Sequence, residues 1–147
     1  MLRIRMSAGR TMRAAITVLL LLPACSSSPP EHAGPLLHVR IKDFKIDPAI
    51  PSVEDGPLTL SVWNEGPTTH EFVVVRSDLA ADELPIGADG IRVDEDAMAP
   101  VDELEEIGAQ TRGILSLSLA PGHYVLFCNL EGHYLAGMRA SLEVTAA

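Results

Sequence analysis

The chain has 147 residues, 20 of them acidic against 11 basic, for a formal charge of −9, and 47% of it is apolar. So acidic a chain excludes nucleic acid as an expected partner, because a polyanion is held by clustered positive charge. The length holds about one domain with its own core, and two cysteines allow at most one disulfide.

The first segment is a leader. Arg3, Arg5, Arg10 and Arg13 come with no acid among them and run into the apolar stretch Ala14 to Leu22. That stretch falls short of the roughly 20 apolar residues that span a bilayer, but has the form of a signal-peptide core. It closes on Leu22-Pro23-Ala24-Cys25, which resembles the lipobox of bacterial lipoproteins. The resemblance implies a signal peptide over residues 1–24, lipidation of Cys25, and a mature chain anchored by lipid at the extracytoplasmic face of a cell membrane, in the periplasm or at the cell surface. Four of the eleven basic residues and none of the acids lie in residues 1–24, so the remainder carries −13. Residues 25–35 are rich in Ser, Pro and Gly and are expected to form a flexible tether, with His32 solvated.

Residues 36–147 form the folded domain, and its apolar pattern has period two almost throughout, in short runs bounded by Pro and Gly. Leu37, Val39 and Ile41 alternate with His38, Arg40 and Lys42; Phe44 and Ile46 continue in the opposite phase, which predicts a bulge near Lys42 and Asp43. His38 falls on the polar face. Leu58, Leu60 and Val62 predict a second strand with Thr59, Ser61 and Trp63 on its other face, and the unbroken run Phe72 to Val75 suits a central strand. Residues 78–106 hold eleven acids against the single Arg92, together with Pro85, Gly87, Gly90 and Pro100, and are expected to make a solvated excursion; a docking face for a basic partner is the functional alternative. Val101 to Ile107 fits a strand or a helical turn. Leu115, Leu117 and Leu119 form a further strand that ends at the Pro121-Gly122 turn, after which His123 is expected exposed and Tyr124 structural. Met138, Ala140, Leu142 and Val144 share one face of the last strand, so the methionine points inward. The whole reads as all-β, a Greek-key sandwich or small barrel whose loops gather at one end.

Between the last two strands lies Cys128-Asn-Leu-Glu-Gly-His133-Tyr-Leu-Ala-Gly-Met138, which spaces a thiol, an imidazole and a thioether five residues apart. A second imidazole stands in Asn64-Glu-Gly-Pro-Thr-Thr-His70-Glu-Phe72, where a turn leads into an apolar run. Two His, one Cys and a weak axial Met are the soft and borderline donors of a blue-copper electron-transfer site.

The segment Tyr124 to Val144 resembles the C-terminal ligand loop of the cupredoxins, and Asn64 to Phe72 resembles their first-histidine loop. The resemblance implies that His70, Cys128 and His133 are equatorial ligands and Met138 the long axial ligand of one copper ion, which cycles between Cu(I) and Cu(II) to carry one electron. Plastocyanin-like and azurin-like members commonly have Asn after the first histidine, where it helps pin the ligand loops; this chain has Glu71, and Asn129 is placed to supply part of that hydrogen bonding.

The apolar flank of His133, Leu130 and Tyr134 to Gly137, suits brief docking with a cytochrome or a membrane redox complex by a monomeric carrier. No enzymatic activity is expected: the neighbour of the ligand cysteine is Phe127 rather than a histidine, His-x-His pairs are missing from the sequence, and a second cysteine for a binuclear centre is missing from the loop. Copper delivery or storage is the alternative function, since the same donors hold Cu(I); zinc is disfavoured by the methionine.

Overall fold

The structure is a computed structural model that describes residues 34–98 and 100–147. The signal peptide expected over residues 1–24, the expected lipidation site Cys25 and most of the expected tether, His32 included, lie outside the described residues.

Among the described residues, nine strands build two sheets. Strands β1 (Leu36–Lys42), β2 (Lys45–Pro48), β4 (Gly56–Asn64) and β7 (Arg112–Leu119) form one, in the order β2-β1-β4-β7. The other has the order β3-β9-β8-β5-β6 and comprises β3 (Ser52–Glu54), β5 (His70–Arg76), β6 (Asp102–Ile107), β8 (Gly122–Phe127) and β9 (Arg139–Thr145). One short helix, α1 (Glu95–Met98), sits in the connection from β5 to β6. The sheets pack face to face as a β-sandwich, the architecture expected from the period-two pattern.

The alternation of β1 places Leu37, Val39 and Ile41 in the core, where they meet Leu58, Leu60 and Val62 of β4 and, from the opposite sheet, Phe72, Val74, Leu126, Leu142 and Val144. β1 pairs in parallel with β4, Val39 opposite Val62. The second face of β4 is covered by side chains reaching across from β7. Thr59 and Ser61, expected on a polar face, are buried there: Thr59 hydrogen-bonds to Ser116 at 3.3 Å, and Ser61 accepts from Arg112 at 3.1 Å. That same guanidinium stacks over Trp63.

β5 is paired on both sides, by β8 and β6, as the run Phe72 to Val75 predicts. Its continuity has a physical cause: Phe72 and Val74 face the inter-sheet core, while Val73 and Val75 enter a second cluster with Val125, Phe127, Leu84, Val93 and Tyr134 on the outer face of the sheet. The residue 78–106 excursion is thus not simply solvated. It lies over that outer face, burying Leu84 and Val93, and its end becomes β6, which resolves the strand-or-turn ambiguity of Val101 to Ile107 in favour of the strand.

Two local expectations are corrected. The phase reversal near Lys42 is not a bulge: β1 and β2 form a hairpin with Lys42 opposite Lys45, turned by Asp43 and Phe44, and Phe44 takes φ 62°. His123 is not freely exposed, because its Nδ1–H donates to the Ser77 carbonyl at 2.7 Å. Tyr124 is structural as expected, its hydroxyl donating to the Ala120 carbonyl at 2.9 Å, and His38 is exposed on β1.

Candidate metal centre

The four candidate ligands arrive at one end of the sandwich on different elements. His70 opens β5, Cys128 follows directly on β8, and the loop from Asn129 to Met138 returns the chain to β9. The loop is closed by its own backbone. Cys128 N–H donates to the Met138 carbonyl at 3.1 Å, Met138 N–H to the His133 carbonyl at 3.0 Å, and His133 N–H to the Leu130 carbonyl at 2.9 Å. Turns this tight need left-handed residues, supplied by Gly132 at φ 77° and Gly137 at φ 105°.

This folding brings three donor atoms together. Nδ1 of His70 lies 3.3 Å from Nδ1 of His133, and Sγ of Cys128 lies 3.4 Å from the same Nδ1. One donor atom from each of the three falls within 4.8 Å of the others. Met138 is fully buried in the main core beside Cys128. His70 and Cys128 are buried and His133 is half-buried, leaving one imidazole as the edge of the site nearest solvent.

The electrostatics suit a cation. Burial holds His70 below its ordinary pKa, so it stands as a neutral imidazole with a free lone pair. Burial pushes the Cys128 thiol up, which makes the metal-free site a thiol and makes a bound cation the condition for its deprotonation. The Glu71 amide donates to Sγ at 3.4 Å, a contact that supports negative charge on the sulfur. The neutral imidazole of His70, the imidazole of His133, a thiol able to ionise on binding and a buried thioether form the mixed soft and borderline donor set that fits copper.

The surrounding hydrogen bonds explain how this chain manages with Glu71 after the first histidine. The Glu71 carboxyl accepts the backbone N–H of Asn129, tying the His70 strand to the residue beside Cys128. The Asn129 side chain turns the other way, accepting from the Val93 amide at 2.7 Å and donating to the Val93 carbonyl at 3.1 Å and to Glu95. Asn64 organises the first-histidine loop: its Oδ1 accepts from Gly66 N–H at 2.9 Å, and its Nδ2 donates to the carbonyls of Thr68 at 2.7 Å and Ile107 at 2.9 Å. Beside Asn129 an open acidic depression of about 610 Å³ is lined by Glu71, Asp89, Asp94, Glu95 and Asp96 among others.

Sequence reasoning missed Asp43 and Phe44, which meet His70 and His133 respectively. The reversal of phase at Lys42 was the signal of a turn there, and two residues of turn pointing at the ligand end was its consequence.

No family model matches the sequence, and no curated protein matches it significantly. Solved structures do match, and the class they define is the cupredoxin sandwich: this chain has the cupredoxin fold. One such structure is the dithionite-reduced auracyanin of the photosynthetic bacterium Roseiflexus castenholzii, with 21% identity and a TM-score of 0.60, covering 77% of this chain and 98% of that one. Auracyanin B has 24% identity and a TM-score of 0.58, covering 82% of this chain and 95% of its own. Auracyanin A, described as a "blue" copper protein of the green thermophilic photosynthetic bacterium Chloroflexus aurantiacus, has 16% identity and a TM-score of 0.51, covering 76% of this chain and all of its own.

Proposed function

We propose that the chain is a mononuclear type 1 copper protein that carries one electron at a time between redox proteins on the extracytoplasmic side of a membrane. The observation that carries this reading is the convergence of two imidazole Nδ1 atoms and one buried thiol at the loop end of a cupredoxin sandwich, with Met138 buried beside them. His70, Cys128 and His133 would hold the ion, and Met138 would be the weak fourth ligand. Bound there, copper supplies a one-electron couple. The chain's own part is to keep the donors still: His70 is fixed by β5, and Cys128, His133 and Met138 are fixed to one another by the loop's backbone bonds. Such a frame limits rearrangement between oxidation states, which favours a carrier over an enzyme.

Placement at a membrane rests on the arginine-bearing leader and on Leu22-Pro23-Ala24-Cys25, which support a lipid anchor at Cys25. Among the described residues no helix is long and apolar enough to cross a membrane. Leu135 and Phe44, each 50% exposed, flank the half-buried His133 and give the docking surface its apolar character.

Titration of the metal-free protein with Cu(II) tests the site. One ion per chain and an intense thiolate-to-copper absorption, both lost in Cys128→Ser, are expected; saturation without that absorption refutes the ligand set. Tight Cu(I) binding with no reversible Cu(II) form would place the chain in copper delivery or storage instead.

A further inference from the structure

The two-residue turn between β1 and β2 reaches both histidines. Phe44 holds φ 62°, a region that costs a side-chain-bearing residue energy unless its surroundings determine it. The Phe44 ring stands edge-on to His133 at 5.5 Å between centroids. Its neighbour Asp43 places Oδ1 at 3.1 Å from Nε2 of His70.

The carboxylate is aimed by a second residue of the His70 loop. Thr68 donates its hydroxyl to the same Oδ1 at 2.6 Å. The His70 side chain has no exposure, whereas that of Asp43 is 38% exposed. The anion therefore stays hydrated on one side while its other side faces a buried ring.

His70 presents Nδ1 to His133 and Nε2 to Asp43. When Nδ1 is a ligand, Nε2 must carry the ring proton, and the carboxylate is its acceptor. A neutral carbonyl in that place would fix the ring equally well but would add no charge. A fixed anion adds more: the two oxidation states of the ion differ by one positive charge, and the anion stabilises the higher one preferentially.

We propose, on the basis of the copper reading above, that Asp43 is a positioning residue that locks His70 in its Nε2–H form and, through its negative charge, lowers the reduction potential of the site.

Asp43→Asn keeps an oxygen for both His70 and Thr68 and removes only the charge. The copper-loaded variant is expected to keep its thiolate absorption while its preference for Cu(II) over Cu(I) falls about tenfold, the lower end of what partners of ligand side chains contribute. That fold-change is a rise in potential of about 59 mV for one electron. A blue variant whose potential equals that of the wild type overturns the role of the charge. Nitrogen-15 spectra of the metal-free protein test the bond without copper: the Nε2–H tautomer of His70 is expected, and a dominant Nδ1–H tautomer overturns the positioning role. A wild type that never turns blue defeats the copper reading and with it the effect on potential, whereas the tautomer still decides the Asp43–His70 bond.

Discussion

Glu71→Gln should remove a pH dependence built into the fold. The Glu71 carboxyl is half-buried beneath the ligand loop, and a ligand oxygen from each of Glu71, Glu95 and Glu103 falls within 4.8 Å of the others. Burial first, then the charges of Glu95 and Glu103, push its pKa from 4.5 to about 7, against the opposing hydrogen bond from the Asn129 amide. A carboxyl raised in this way is favoured by folding in its protonated form. Its contribution to stability is complete below pH 4.5 and is lost as the pH climbs to about 7. At about 1.36 kcal/mol per unit the ceiling on that loss is roughly 3.4 kcal/mol, and because half of the group is open to water, screening reduces it to about 1–2 kcal/mol. Glutamine mimics the neutral acid and keeps an oxygen for Asn129. Urea unfolding of the metal-free proteins at pH 5 and pH 8 is the assay. The variant should gain about 1–2 kcal/mol on the wild type between the two conditions. Parallel loss of stability in both proteins refutes the reasoning, since it would mean that Glu71 titrates alike in the folded and unfolded chains.

Two further outcomes follow from the surfaces around the loop. Leu135 is 50% exposed beside His133, so Leu135→Asp should leave the copper absorption in place and slow electron exchange with a partner cytochrome in stopped-flow measurements; loss of the colour would show that the residue packs rather than docks. The buried Tyr134 hydroxyl donates to the Ala81 carbonyl at 2.8 Å and accepts from the Leu84 amide at 3.0 Å, so Tyr134→Phe leaves both groups unpaired and should cost about 1–3 kcal/mol. Hydrogen exchange at Leu84 should quicken in that variant, and unchanged protection would show that the clasp is not what holds the excursion down.

The strands around the ligands were legible because each obeys one local rule. β1 and β9 alternate, β5 has the unbroken apolar run Phe72 to Val75, and the donors at 128, 133 and 138 sit on a loop short enough to close on itself. What escaped reading depends on residues far apart in the chain. Nothing near Thr59 or Ser61 shows that Ser116 and Arg112 will cover them from β7. The acidic segment looked solvated because its charges dominate its composition, yet Leu84 and Val93 are drawn down by Tyr134 and Asn129, 50 and 36 residues away. Glu71 departs from the cupredoxin loop that this segment resembles in its own side chain, and only the fold shows that its carboxyl reaches the Asn129 amide. The turn at Asp43 and Phe44 announced itself as a change of phase, but a two-residue hairpin and a bulge reverse phase alike, and pairing distinguishes them.

The most direct test of the account is a redox cycle followed by visible absorption on residues 35–147 loaded with one equivalent of Cu(II). A thiolate-to-copper band that bleaches with one reducing equivalent and returns in full on reoxidation, through repeated cycles and without loss of metal, is the predicted result. A colourless complex, or a band that does not return after the first reduction, would contradict a one-electron carrier built on His70, Cys128, His133 and Met138.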